Sequence, residues 1–114
     1  MRDTIKKHED FLMDENHLEA RSAGFIVRAQ KTRFPGDARY GLMATKRTFK
    51  LAVDRNRAKR LMREWIRHCQ DMMLSDMDYV FIARRAILDF SRDQGFEAVS
   101  KALHWIKKSN KDAQ

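Results

Sequence analysis

The residues best suited to chemistry in this chain lie close together. Between Lys46 and Arg67 the sequence holds nine basic residues (Lys46, Arg47, Lys50, Arg55, Arg57, Lys59, Arg60, Arg63 and Arg67) and two acidic ones, a local charge of +7 in a chain of net charge +8. Five of them, from Arg55 to Arg67, are arginines, whose planar forks suit phosphate oxygens in pairs and stack on bases. Asn56 adds a group that both donates and accepts hydrogen bonds. This is the chemistry of holding a polyanion, not of breaking a bond. His8, His17, His68 and His104 are scattered, none beside a nucleophile it would activate, and each reads as a surface or capping residue. Cys69 is the only cysteine, so an intrachain disulfide and a cysteine-based zinc site are both excluded, and a reducing cytoplasm is the expected setting.

A helix must present these cations. The pattern runs from about Ala52 to Met73, and at 100° per residue Ala58, Leu61, Met62, Trp65, Ile66, Cys69, Met72 and Met73 fall within roughly 140°, which makes them a core face. Across from it Lys59, Arg63, Asn56, Arg67 and Arg60 occupy about 100°, with Arg57 at the far edge and Arg55 at the apolar boundary. Arg55, Lys59, Arg63 and Arg67 recur every fourth residue, where like charges repel by a few tenths of a kcal/mol per pair. A run of cations is often only a solvated face. Here the arginine content, the embedded Asn56 and the tolerated repulsion favour a bound nucleic acid.

The elements around this helix follow from shorter signals. Phe25, Ile26 and Val27 give a strand over about Gly24 to Thr32, Pro35-Gly36-Asp37 supplies turn chemistry, and Ala38 to Lys46 reads as a second strand. The two are expected to pair as an antiparallel hairpin. Asp76 and Asp78 interrupt the helical periodicity before a third strand, Tyr79 to Arg85. A last helix over about Ser91 to Lys108 carries Phe96, Val99, Leu103 and Ile106 at spacings of three and four. The first twenty residues hold three basic and six acidic residues, and a short helix is expected at Lys7 to Met13. The order helix, strand, strand, helix, strand, helix defines an α+β chain.

Length and composition agree with that plan: 114 residues with 43% hydrophobic content fill one modest core, so one domain over 1–114 is expected, with about 1–7 and 109–114 flexible. A charged start and no stretch of about 18 apolar residues argue against a signal peptide or membrane span. An acidic-membrane binder would need a free apolar helix face, which the core requires here. A DNA-binding basic helix would need a dimerising heptad stretch or helix-turn-helix spacing, and neither is found.

The block RNRAKRLMRE, Arg55 to Glu64, resembles the signature on the long helix of bacterial ribonuclease P proteins. Its context is similar too: RYGLMATKR (Arg39 to Arg47) upstream, DYVFIARR (Asp78 to Arg85) downstream, and EDF (Glu9 to Phe11) near the start. The resemblance implies a single-domain, ribosomal-protein-like α+β sandwich with a left-handed βαβ crossover. It further implies an accessory subunit of an RNA-based endoribonuclease that removes the 5′ leader of precursor tRNA. Catalysis would then come from the RNA subunit with magnesium, and the partners would be that RNA and precursor tRNA, with no obligate protein partner.

Carried over by position, Arg55, Asn56, Arg57, Lys59, Arg60, Arg63 and Arg67 would face the catalytic RNA. Phe11, Ile26, Arg28, Lys46, Arg47, Arg84 and Arg85 would line or approach a cleft between the sheet and the long helix that takes the single-stranded leader. Phe11 reads equally as an ordinary core phenylalanine. Some family members carry another aromatic residue where this chain has Glu15, and Arg28 stands where an aromatic occurs, so phosphate contact by Arg28 would replace stacking there. Cys69, Trp65, Met62, Met72 and Met73 read as core. The rival reading is a structural RNA-binding protein such as a ribosomal component, which charge and fold suit equally; the motif block favours the first.

Overall fold

The computed structural model describes residues 2–3, 17–32 and 39–112. The expected helix at Lys7 to Met13, with His8, Phe11 and Glu15, lies outside the described residues.

Among the described residues five strands form one sheet: β1 (Arg2–Asp3), β2 (Leu18–Arg21), β3 (Phe25–Lys31), β4 (Arg39–Met43) and β5 (Met77–Ala83), in the order β1-β4-β5-β3-β2. Two helices, α1 (Ala52–His68) and α2 (Arg92–Asp112), pack against each other and against this sheet. Side chains alternate across a strand, and every second residue of β3 and β5 is buried on one side: Phe25, Val27 and Ala29 beside Met77, Tyr79, Phe81 and Ala83. That side meets Ala58, Met62, Trp65 and Ile66 of α1 and Val99, Leu103 and Ile106 of α2 in one core. The architecture is thus a two-layer α+β domain with both helices on one sheet face.

The expected hairpin between β3 and β4 does not form. β5 lies between them, antiparallel to β3 and parallel to β4. All but one residue of Met77–Ala83 is buried, the pattern of a central strand flanked on both edges. The end of β3 and the start of β4 therefore lie two strand spacings apart, about 10 Å. Asp78, read as a periodicity breaker, is instead a latch inside β5: its carboxylate accepts from the Arg39 backbone amide (3.1 Å) and from Arg39 Nη2 (3.0 Å), fixing β4 against β5. β2 was not legible as a strand. It pairs antiparallel with β3 through a turn in which Ser22 Oγ accepts from the amides of Gly24 and Phe25.

α1 is shorter than its periodicity suggests. After His68 the chain tightens into a 3-10 turn, Gln70–Met72, where the Met72 and Met73 amides reach back three residues to the Cys69 and Gln70 carbonyls. Met73 and Cys69 still reach the core, and Met72 packs against it. α2 continues to Asp112, past the expected end at Lys108. Among the described residues no helix is long and apolar enough to cross a membrane.

Candidate nucleic-acid interface

The crossover from β4 through α1 to β5 decides where the cations gather. Because β4 and β5 are parallel neighbours, the chain leaves both at the same end of the sheet, and β3 enters there, with Phe25 opposite Ala83. Lys46, Arg47 and Lys50 follow β4, Arg84 and Arg85 follow β5, and α1 starts at this same end; the five cations are all exposed. Arg84 is tied to the β2–β3 turn, its amide donating to the Gly24 carbonyl (2.9 Å) and its Nη1 to the Ser22 carbonyl (3.5 Å). In residues 45–50, Thr45 Oγ1 accepts from the Thr48 amide, and the Phe49 amide closes a turn onto the Thr45 carbonyl. Phe49 is thereby sunk into the core while its charged neighbours stay outside.

From this end the basic arc continues along α1. Asn56, Arg57, Arg60, Arg63 and Arg67 are exposed and Lys59 is half-buried. Arg57 to Arg67 covers about 15 Å of helix at 1.5 Å per residue. Among the described residues Arg57, Lys59, Arg60 and Arg67 have no carboxylate partner. Glu64, the interruption in the arc, reaches Arg92 on α2 at 3.5 Å rather than a cation of its own helix.

Two of the expected contact residues also make hydrogen bonds within the fold. Arg55 is half-buried and its Nη1 donates to the carbonyls of Phe49 (2.9 Å) and Lys50 (3.3 Å), so it fastens the preceding turn to the helix. Arg28 donates through Nε to Glu19 (2.9 Å), which also accepts from Arg21 Nε (2.9 Å). The guanidinium of Arg28, and then that of Arg21, hold the Glu19 carboxyl below its ordinary value. Arg28 therefore already has an anion beside it.

Between the sheet and the long helix, Trp65, Met62 and Ile66 pack with the buried side of β3 and β5 in the core. Ile26 and Arg28 lie on the opposite side of the sheet, at the alternate positions of β3, beside Ile82 and Val80 of β5. So Lys46, Arg47, Arg84 and Arg85 share one end of the sheet with the start of α1, Ile26 and Arg28 flank it on the outer face, and Phe11 is outside the described residues. Lys50 belongs with the end cluster and was countable in the charge run, although the resemblance did not mark it.

The other candidate groups are accounted for by packing. Cys69 is buried, which pushes its thiol above the ordinary value. Burial pushes the Tyr79 hydroxyl up to about 12, and its oxygen accepts from the Leu74 amide at 2.8 Å. His68 is stacked on Phe96, with ring centres 4.2 Å apart. Among the described residues no cluster of three metal-ligating side chains occurs.

The family model described as Ribonuclease P matches residues 2–107. A ribonuclease P protein component from a Marinomonas species is 38% identical over 84 residues, 74% of this chain and 62% of that protein. One from Vibrio vulnificus is 37% identical over 105 residues, 92% of this chain and 86% of that protein. Among solved structures, the RNase P protein of Staphylococcus aureus superposes with a TM-score of 0.75 at 26% identity, over 93% of this chain and 94% of that one.

Proposed function

The chain belongs to the ribonuclease P protein family, and we propose on that footing that it works as the protein subunit of the ribonucleoprotein enzyme that removes the 5′ leader of precursor tRNA. The observation that carries the assignment of roles is the exposed cationic arc on α1, whose Arg57, Lys59, Arg60 and Arg67 lack carboxylate partners among the described residues. Arg57, Lys59, Arg60, Arg63 and Arg67, with Asn56, hold the backbone of the catalytic RNA. Contacts of this kind set register and orientation and read little sequence. Arg55 acts one step back, shaping the turn that presents Lys46, Arg47 and Lys50.

The leader of precursor tRNA follows the end of the sheet, with Lys46, Arg47, Arg84 and Arg85 along its phosphates, toward the outer face at Ile26. Arg28 contributes there as part of a pair with Glu19, and Phe11 retains the stacking role that the resemblance implies. Magnesium and the hydrolytic step are assigned to the RNA subunit, where the metal would supply water activation and stabilisation of negative charge on the phosphate oxygens. The protein's share is to bind, orient and neutralise, which lowers the magnesium the RNA requires. A cytoplasmic setting is part of the same reading.

The test is cleavage of a 5′-extended precursor tRNA at low magnesium by a bacterial ribonuclease P RNA, with and without this chain. Site-correct cleavage that needs both components is expected. RNA binding without stimulated cleavage would make a structural RNA-binding protein the better account.

A further inference from the structure

The apolar side chains along the inner side of α1 are covered, but two at its start are not. Leu51, the residue that caps the helix, is 61% exposed, and Val53 in the first turn is 69% exposed. Counted at 100° per residue, Val53 lies roughly 160° round from Arg55, between Arg60 at about 140° and Arg57 at about 200°. It is an apolar side chain set inside the cationic arc, with Asn56 and Arg57 one turn on and Lys46, Arg47 and Lys50 in the segment just before.

Neither residue serves the helix. An exposed β-branched valine has lower helix propensity than alanine or lysine. Leucine at the cap leaves the first amides without the side-chain acceptor that serine or aspartate would provide, and no side-chain hydrogen bond is made there. A purely electrostatic surface would carry a lysine at position 53. Nucleic acid is the partner that offers both an anionic backbone and apolar faces within a few ångströms of each other, because unstacked bases expose their rings between phosphates.

Resting on the docking role given to α1 above, we propose that Leu51 and Val53 form an apolar contact with the catalytic RNA, packing against the face of an unstacked base while Lys50, Arg57 and Arg60 hold the flanking phosphates. The contact is non-ionic, so its signature differs from that of the cations around it. Losing a phosphate contact flattens the salt dependence of binding; losing an apolar contact lowers affinity equally at every salt concentration.

The experiment measures binding of the full chain and its Val53→Ala, Val53→Lys and Leu51→Ala variants to a bacterial ribonuclease P RNA across a salt series, with thermal melting of each protein. Val53→Ala is expected to weaken binding roughly fivefold at all salt concentrations, with the slope unchanged and the melting temperature no lower than the parent's. Leu51→Ala is expected to behave in the same way. Val53→Lys is the discriminating variant: it adds a cation beside the phosphates and is nevertheless expected to bind less tightly than the parent. Binding by Val53→Lys that equals or exceeds the parent's, with Val53→Ala unaffected, would overturn the apolar contact and leave the docking role intact. A parent protein that shows no salt-dependent binding would overturn the docking role itself.

Discussion

The two helices pack against the same face of the sheet, yet their exposed sides follow opposite rules. α2 is stabilised as a helix in water. Ser91 and Gln94 form a reciprocal cap, the Ser91 amide donating to Gln94 Oε1 (2.8 Å) and the Gln94 amide to Ser91 Oγ (3.1 Å), and Glu97 pairs with Lys101 one turn on (2.9 Å). α1 begins with an exposed leucine and no side-chain cap, repeats cations at every fourth position, and sends the acidic residue of its arc, Glu64, across to Arg92. The difference teaches that α2 is held by local interactions as well as by packing, whereas α1 is held by its buried face and left electrostatically incomplete until a polyanion arrives.

The largest expected effect lies where the helices meet. A Cβ at Gly95 would stand 2.0 Å from Trp65 Cε2 and 2.3 Å from Cζ2, and Trp65 is fully buried. Gly95→Ala would raise α2's intrinsic propensity by about 1 kcal/mol, but a rigid, enclosed indole cannot move aside, so a net loss of about 1 to 3 kcal/mol is expected. A rise in thermal midpoint would mean that the seat is looser than described.

The caps give the next test, because α2 has a side-chain cap to lose and α1 has one to gain. Ser91→Ala is expected to cost about 1 kcal/mol in denaturant unfolding. Leu51→Asp is expected to gain a comparable amount, since Leu51 already has the extended backbone of a capping residue. That gain should come with weaker RNA binding, as a carboxylate enters the cationic end. If Leu51→Asp improved both, α1's start would not be part of the interface.

The smallest effect concerns Glu19. Its folded pKa lies below the ordinary 4.5 because of Arg28 and Arg21. The stabilisation it supplies is therefore fully present above about 4.5 and is lost as pH falls through the lower, folded value. The stability gap between the parent and Glu19→Gln should be small at neutral pH and should close on acidification below 4.5. A gap that widened there would assign the stabilisation to another group.

What could be read beforehand follows the reach of each signal. α1's two faces were legible because both are written in residues three and four apart, and Ala58, Met62, Trp65 and Ile66 are buried as that spacing requires. Sheet order was not, because adjacency of β5 to both β3 and β4 depends on residues some forty positions apart, such as Arg39 and Asp78. β2, four residues long, was too short for its alternation to register. On the cationic face, charge singled out Arg57, Lys59, Arg60 and Arg67, but composition could not show that Arg55 donates to the Phe49 and Lys50 carbonyls or that Arg28 sits against Glu19. Such pairings belong to tertiary structure, and they separate cations left for a ligand from those holding the fold.

The most direct test of the incomplete-helix account is the salt dependence of binding to a bacterial ribonuclease P RNA for two double variants, Arg57→Ala with Arg60→Ala on α1 and Lys101→Ala with Lys107→Ala on α2. At about 0.7 to 0.9 in log-log slope per phosphate contact, the α1 pair should flatten the dependence by roughly 1.4 to 1.8, and the α2 pair should leave it unchanged. Equal flattening by both pairs, or none from the α1 pair, would contradict it.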